Sequence, residues 1–234
     1  MIDQPLSSAP ILDTSSGVPK RRVLQWVLIG IVIVLVAVAA IVLPRIFAEL
    51  AYPLAYEDVI RDEALAHDLD PFLVAAVVYA ESRYRPTATS PVGARGLMQL
   101  MPLTGGGIAK RLGDTQFTLD DLYDPATNIR YGTYHLQGLM GRYQSNVEAA
   151  LVGYNGGGGA GDRFARGELG SVPNESLRYY KKVLLAKSMY EELYPVRLGS
   201  DTSLAEFFET EPRETVATKL LKVIRSTVVE RIGQ

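Results

Sequence analysis

Residues 72–82 read Phe72-Leu73-Val74-Ala75-Ala76-Val77-Val78-Tyr79-Ala80-Glu81-Ser82. The unbroken apolar run from 72 to 78 leaves no polar face, so a helix here is buried on every side. Asp70-Pro71 supplies its start, with Asp at the N-cap and Pro at the first helical position. Glu81 falls at the closing end. There, desolvation and the negative end of the helix dipole both favour the protonated carboxyl. A carboxyl group that stays protonated near neutral pH is what a general acid requires. On composition alone, a solvated Glu one turn beyond the core is the commoner arrangement.

Toward the N-terminus, Tyr56, Val59, Ile60 and Ala64 fall at helical spacing, with Glu57, Asp58, Arg61 and Asp62 on the other face. Farther back lies 23–43, whose only clearly polar member is Gln25. At helical rise this segment is roughly 30 Å long, the thickness of a bilayer core. Lys20-Arg21-Arg22 precede it and Arg45 alone follows closely. The positive-inside rule therefore puts 1–22, a Ser- and Pro-containing tail expected to be disordered, in the cytoplasm and the rest outside. Ala37-Val38-Ala39 mimics a signal-peptidase site. The run exceeds the ~7–15 residues of a signal core, which favours an uncleaved anchor.

Toward the C-terminus, 90–96 read as loop, and 97–101 as a short apolar turn closed by Pro102. Residues 119–125 are rich in turn formers. A helix is expected over 126–143, with Ile129, Thr133, Leu136, Leu139 and Met140 inward, and a short one over 147–154. A long helix follows over 175–194, with Tyr179, Val183, Ala186 and Tyr190 on one face. Gly105-Gly106-Gly107 and the glycines from 156 onward read as loops with backbone freedom. No stretch alternates like a strand, so the fold class is all-α behind one transmembrane helix. Residues 196–234 read as an acidic linker and an amphipathic helix that docks on the domain, lies on a membrane or pairs with a protein partner.

Composition excludes several chemistries. The chain has 234 residues, no cysteine, two histidines and a formal charge of -2. Thiol nucleophiles, disulfides and zinc-finger clusters are excluded without cysteine, and a histidine-based metal site has little material. Neither glycine cluster is followed by Lys-Ser/Thr, so neither is a phosphate loop. Asp120, Asp121 and Asp124 lack calcium-loop spacing and read as caps. No metal, no cofactor and no nucleic acid is expected.

One constellation remains: Glu81-Ser82, then Ser90-Pro91-Val92-Gly93-Ala94, Gly96-Leu97-Met98-Gln99 and Met101-Pro102, and much later Gly153-Tyr154-Asn155 and Glu175-Ser176-Leu177-Arg178-Tyr179. In content, order and spacing it resembles the soluble-lytic-transglycosylase type of catalytic domain, related to goose-type lysozyme, over residues 52–195. The resemblance implies a lysozyme-like helical fold and peptidoglycan glycan strands as substrate. It makes Glu81 the single catalytic acid and base. Ser90 and Gln99 would bond the sugar and the reacting centre, within a saccharide groove that also takes in Gly96 and Leu97. Met98 and Met101 would line that groove, although methionine also serves as core filler. Tyr154 and Asn155 would face Glu81, Tyr179 would project into the cleft, and Ser82 would fix the catalytic helix end while lying at the substrate site. Gly153 replaces the family's usual Ala, and the glycines after Thr104 are expected to loosen the next helix.

Most glycosidases use two carboxylates. The resemblance gives a catalytic role to one, Glu81, and none to the Glu175 of the last block, which fits a non-hydrolytic cleavage between N-acetylmuramic acid and N-acetylglucosamine that leaves a 1,6-anhydro end. Two alternatives stand beside it: a muramidase using Asp114 or Asp162 as second acid, and a wall-binding or assembly protein with an idle site. The anchor fits the substrate, because a domain outside the cytoplasmic membrane of a bacterium meets the wall.

Overall fold

The computed structural model describes residues 20–199, with side chains from residue 24 onward. The tail and the amphipathic segment expected beyond residue 199 lie outside the described residues. The chain divides into two compact units, Met1–Leu43 and Pro44–Gln234. Helix α1 (Lys20–Ala51) holds Pro44 in its interior. Within its stretch Leu24–Ala51 an 18-residue window reaches a mean hydropathy of 3.3, so the stretch is long and apolar enough to cross a membrane.

The second unit is a helical domain. Among the described residues it has no strand, only two isolated bridges, Thr89 with Arg95 and Arg95 with Leu100. Helices α2 (Glu57–Ala66) and α3 (Pro71–Ser82) open it, followed by α4 (Pro102–Leu112) and α5 (Pro125–Arg142). Then come α6 (Val147–Gly156), α7 (Gly158–Ala165), α8 (Asn174–Leu193) and the single turn α9 (Pro195–Leu198). Starts follow local chemistry. The carboxylates of Asp70 and Asp124 accept from Phe72 N and Thr127 N, and Pro71 and Pro125 come next. Thr118 and Asp121 form a reciprocal capping box at the 3-10 turn Leu119–Tyr123.

Helix α3 is the central element. Its residues 73–78 are all buried, and it packs most extensively on α8, which contributes Val183, Ala186, Met189 and Tyr190 to the same core. Leu97 and Met98, from the turn before α4, complete that core with no exposed surface. Leu198 of α9 is also fully buried, and Arg197 pairs with Glu57 of α2, so packing continues to the last described turn.

The glycine clusters are helical, contrary to the loop expectation. Gly105, Gly106 and Gly107 lie inside α4, which is continuous rather than loosened. Gly156 ends α6 and Gly158 starts α7, with Gly157 turning the corner at φ 78°. Packing explains the choice. A Cβ on Gly105 would stand 2.9 Å from Leu122 Cδ2, one on Gly156 2.8 Å from the Ala160 Cβ, and one on Gly161 2.6 Å from Tyr143 Cζ. These helices approach closely because a side chain is missing at each contact. Gly153 belongs with them, since a Cβ there would meet Tyr143 Cε2 at 3.0 Å.

Candidate active site

Three segments converge on the C-terminal end of α3: the loop 83–101, the end of α6, and the first half of α8 from its start. Arg83 closes α3 in the left-handed conformation, and Ser82 turns inward to donate to the Val78 carbonyl at 3.2 Å. Glu81 is thereby left on the side facing α8, partly buried.

The Tyr179 hydroxyl donates to Glu81 Oε1 at 2.6 Å. One turn later on α8, Lys182 Nζ donates to the Ala80 carbonyl at 2.6 Å. Burial pushes the Glu81 carboxyl up to about 7; the Tyr179 hydrogen bond and the Lys182 charge oppose it but do not cancel it. Tyr154 lies near enough for the Glu81 charge to hold its phenol up further, after the larger effect of burial. The Tyr154 hydroxyl donates to the Met98 carbonyl at 2.9 Å, joining the end of α6 to the turn before α4.

An open cleft of about 840 Å³ adjoins Glu81, lined by Asn155 and by Glu175, Arg178, Tyr179 and Lys182 of α8, among others. Asn155 is exposed at the end of α6. Its Oδ1 accepts from Ser176 Oγ at 2.8 Å, which leaves its amide hydrogens for the cleft. The outcome is a protonatable carboxyl beside a polar, cationic groove. Among the described residues no cluster of His, Cys, Asp or Glu could hold a metal ion.

The residues expected from the sequence divide into two groups. Glu81, Asn155 and Tyr179 line the cleft. The block 96–99 is scaffold in its side chains. Leu97 and Met98 are wholly buried, so their side chains have no surface for a sugar. Gly96 sits at φ 77°, where a Cβ would collide with the Leu122 carbonyl and the Asn128 amide. Gln99, at φ 48°, donates its amide to the carbonyls of Ala88 (3.1 Å) and Gly96 (2.8 Å), bracing its own loop. Ser90 Oγ accepts from Ala94 N at 3.0 Å within the same loop. Ser82 is buried at the helix end. Met101 is exposed, at the N-cap of α4.

Sequence reasoning passed over two residues. Asn128, fully buried on α5, accepts from Met98 N at 2.6 Å and donates to the carbonyls of Arg95 (3.0 Å) and Leu122 (2.7 Å). A polar side chain in the inward register of α5 was its signal. Lys182 was the other, three residues after Tyr179 and so on the same helix face. The suggested second acids are tied up elsewhere: Asp162 pairs with Arg142 at 2.7 Å, and Asp114 accepts from the Tyr131 hydroxyl at 2.6 Å.

Known proteins resemble this chain in sequence and in fold. Residues 58–168 match the family model of the transglycosylase SLT domain. The chain is 31% identical to the soluble lytic murein transglycosylase of Escherichia coli (strain K12) over 163 residues, 65% of this chain and 25% of that protein. It is 48% identical over 91 residues to the transglycosylase of Enterobacteria phage PRD1, covering 39% of this chain and 31% of that one. It is 36% identical over 103 residues to the membrane-bound lytic murein transglycosylase F of Serratia proteamaculans, covering 42% and 19%. Among solved structures, the 70 kDa soluble lytic transglycosylase of Escherichia coli superposes with a TM-score of 0.59 at 28% identity, over 67% of this chain and 27% of that one. The chain thus spans about a quarter of the length of its soluble relatives. Helix α8 lies beyond residue 168, the last matched by the family model. Residues 58–168 thus match the transglycosylase SLT domain, and the helical domain built around them has an all-α fold similar to that of the soluble lytic transglycosylases.

Proposed function

We propose that the chain is a peptidoglycan lytic transglycosylase in which Glu81 performs both proton transfers. The observation that carries this reading is the contact of the Tyr179 hydroxyl with a partly buried Glu81 carboxyl poised at about 7, beside a cleft. At that value acid and carboxylate are both populated near neutral pH, as one group that must donate and then accept requires.

The protonated Glu81 carboxyl gives its proton to the oxygen joining C1 of N-acetylmuramic acid to C4 of N-acetylglucosamine. That C1–O bond breaks, and the N-acetylglucosamine end leaves with a hydroxyl. The substrate's own N-acetyl oxygen supports the positive charge at C1. The Glu81 carboxylate, steadied by Tyr179, then takes the proton of the muramic C6 hydroxyl, whose oxygen bonds C1. The ring closes as a 1,6-anhydro sugar, Glu81 is protonated again, and no water is consumed.

One observation favours hydrolysis as the second reading: Glu175 also lines the cleft, exposed in the first turn of α8. A carboxylate at that position supplies the base that an attacking water needs.

The apolar helix Leu24–Ala51 supports a membrane anchor, with Lys20-Arg21-Arg22 on the cytoplasmic side and the domain facing the wall. The relative named as a membrane-bound lytic murein transglycosylase is consistent with that placement. Clearing of purified peptidoglycan by the chain, and a fall of roughly 10²–10⁴ in turnover for Glu81→Gln, is the expected result. No clearing by the parent chain would leave a wall-binding protein.

A further inference from the structure

Two groups on one face of α8 reach the end of α3, and only the first has a place in the chemistry above. Tyr179 meets the Glu81 carboxyl, and Lys182, three residues on, meets the carbonyl of the residue before it. The Ala80 carbonyl is among the last four of α3, which have no partner within the helix and carry its negative end. Without a cation there, that end would face a carboxylate formed at Glu81.

We propose that Lys182 is a positioning residue for the proton transfers: its ammonium fixes the last turn of α3 and offsets the negative helix end, so that Glu81 can exist as the carboxylate between its two steps. The proposal rests on the reading of Glu81 as acid and base. Other groups face this point too. Tyr179 from α8 and Tyr154 from α6 flank Glu81, and Glu175, Arg178 and Lys181 line the same cleft from α8. Burial lowers the proton affinity of Lys182, Glu81 opposes this, and Arg83, just past α3, lowers it further. Lys182 is the cation among the groups that act on Glu81. Its effect is indirect, through the charge state of Glu81 and the geometry of the helix end.

The test uses the full chain in detergent micelles with ¹³C-labelled glutamate, the Glu81 carboxyl signal being identified by its loss in Glu81→Gln. Its titration midpoint is read beside the alkaline limb of kcat/KM on soluble glycan strands. Lys182→Gln keeps a donor for the Ala80 carbonyl and removes the charge; Lys182→Arg keeps both. The exposed Lys181, changed in Lys181→Gln, removes the same charge from the cleft without touching α3. In Lys182→Gln the midpoint should rise by about half a unit or more, a modest share of what a close cation gives because Lys182 is partly solvated. The limb should rise with it, and Lys182→Arg should leave both where they were. An unmoved midpoint in Lys182→Gln, or an equal shift in Lys181→Gln, overturns the role of Lys182. A midpoint that moves while the limb stays fixed upholds Lys182 and overturns Glu81 as the acid.

Discussion

The Tyr179 hydroxyl and Glu81 Oε1 meet at 2.6 Å although they lie 98 residues apart in sequence. The bond is strongest to the ionised carboxyl, so it works against the burial that holds Glu81 protonated. Tyr179→Phe keeps the ring and removes the donor. Glu81 should then titrate above about 7, and the alkaline limb of the rate profile should move upward with it. Turnover should fall roughly 10- to 100-fold, the value of a hydrogen bond to a charged group. A profile identical to that of the parent would remove Tyr179 from the mechanism.

The same carboxyl links stability to pH. Its folded-state value of about 7 lies above the ordinary 4.5, so the folded chain holds this proton more tightly than the unfolded one. Its stabilising contribution is present below about 4.5 and is lost as pH rises through about 7. Glu81→Gln removes the titration. Chemical denaturation should find the variant more stable than the parent at pH 8, by up to about 3 kcal/mol, and similar to it at pH 4.

Asn128 fixes the turn that carries Met98. Its amide accepts from Met98 N and donates to the carbonyls of Arg95 and Leu122, all inside the domain. Asn128→Ala should cost about 2–4 kcal/mol, because Met98 N and the Leu122 carbonyl lose this partner inside the domain, while the Arg95 carbonyl keeps only Leu100 N. Asn128→Asp should be no better, since a carboxylate oxygen would face the Arg95 and Leu122 carbonyls. Melting temperatures of the two variants check this directly.

The glycines divide by what a methyl group would meet. Gly161→Ala would drive its Cβ into the Tyr143 ring and disturb the bond of that hydroxyl to the Gly158 carbonyl, 2.9 Å long. A loss of about 1–3 kcal/mol is expected. Gly106, inside α4, has nothing within 4 Å of a Cβ. Gly106→Ala should therefore stabilise the domain by about 0.5–1 kcal/mol. Equal effects at the two positions would refute the packing account.

These glycines also mark where reading the sequence fell short. Helices with a clear apolar period were legible: α3 from its unbroken apolar run and Asp-Pro start, and α8 from Tyr179, Val183, Ala186 and Tyr190. Helix α7 was not, because local propensity counts glycine as a breaker. Whether a missing side chain loosens a helix or lets it dock is decided by a neighbour such as Tyr143, distant in sequence. For the site, Glu81 taken alone read more readily as a solvated residue, and the order of the motifs pointed both to it and to its partners. The division of labour between Gln99 and Met98 as scaffold and α8 as cleft wall depends on side-chain direction, which spacing alone does not give.

Glu175 bears on the choice between transglycosylation and hydrolysis. Glu175→Gln should leave the product unchanged in kind, since the proposed chemistry needs one carboxyl. A variant that loses turnover as completely as Glu81→Gln would make Glu175 a second catalytic carboxylate and favour the hydrolytic reading.

The most direct test is the mass of the glycan ends released from purified peptidoglycan by the full-length protein. The account predicts 1,6-anhydro-N-acetylmuramic ends, one water lighter than reducing ends, with no label incorporated from H₂¹⁸O. Reducing ends carrying ¹⁸O would contradict it, and would show that water, not the C6 hydroxyl, attacks C1.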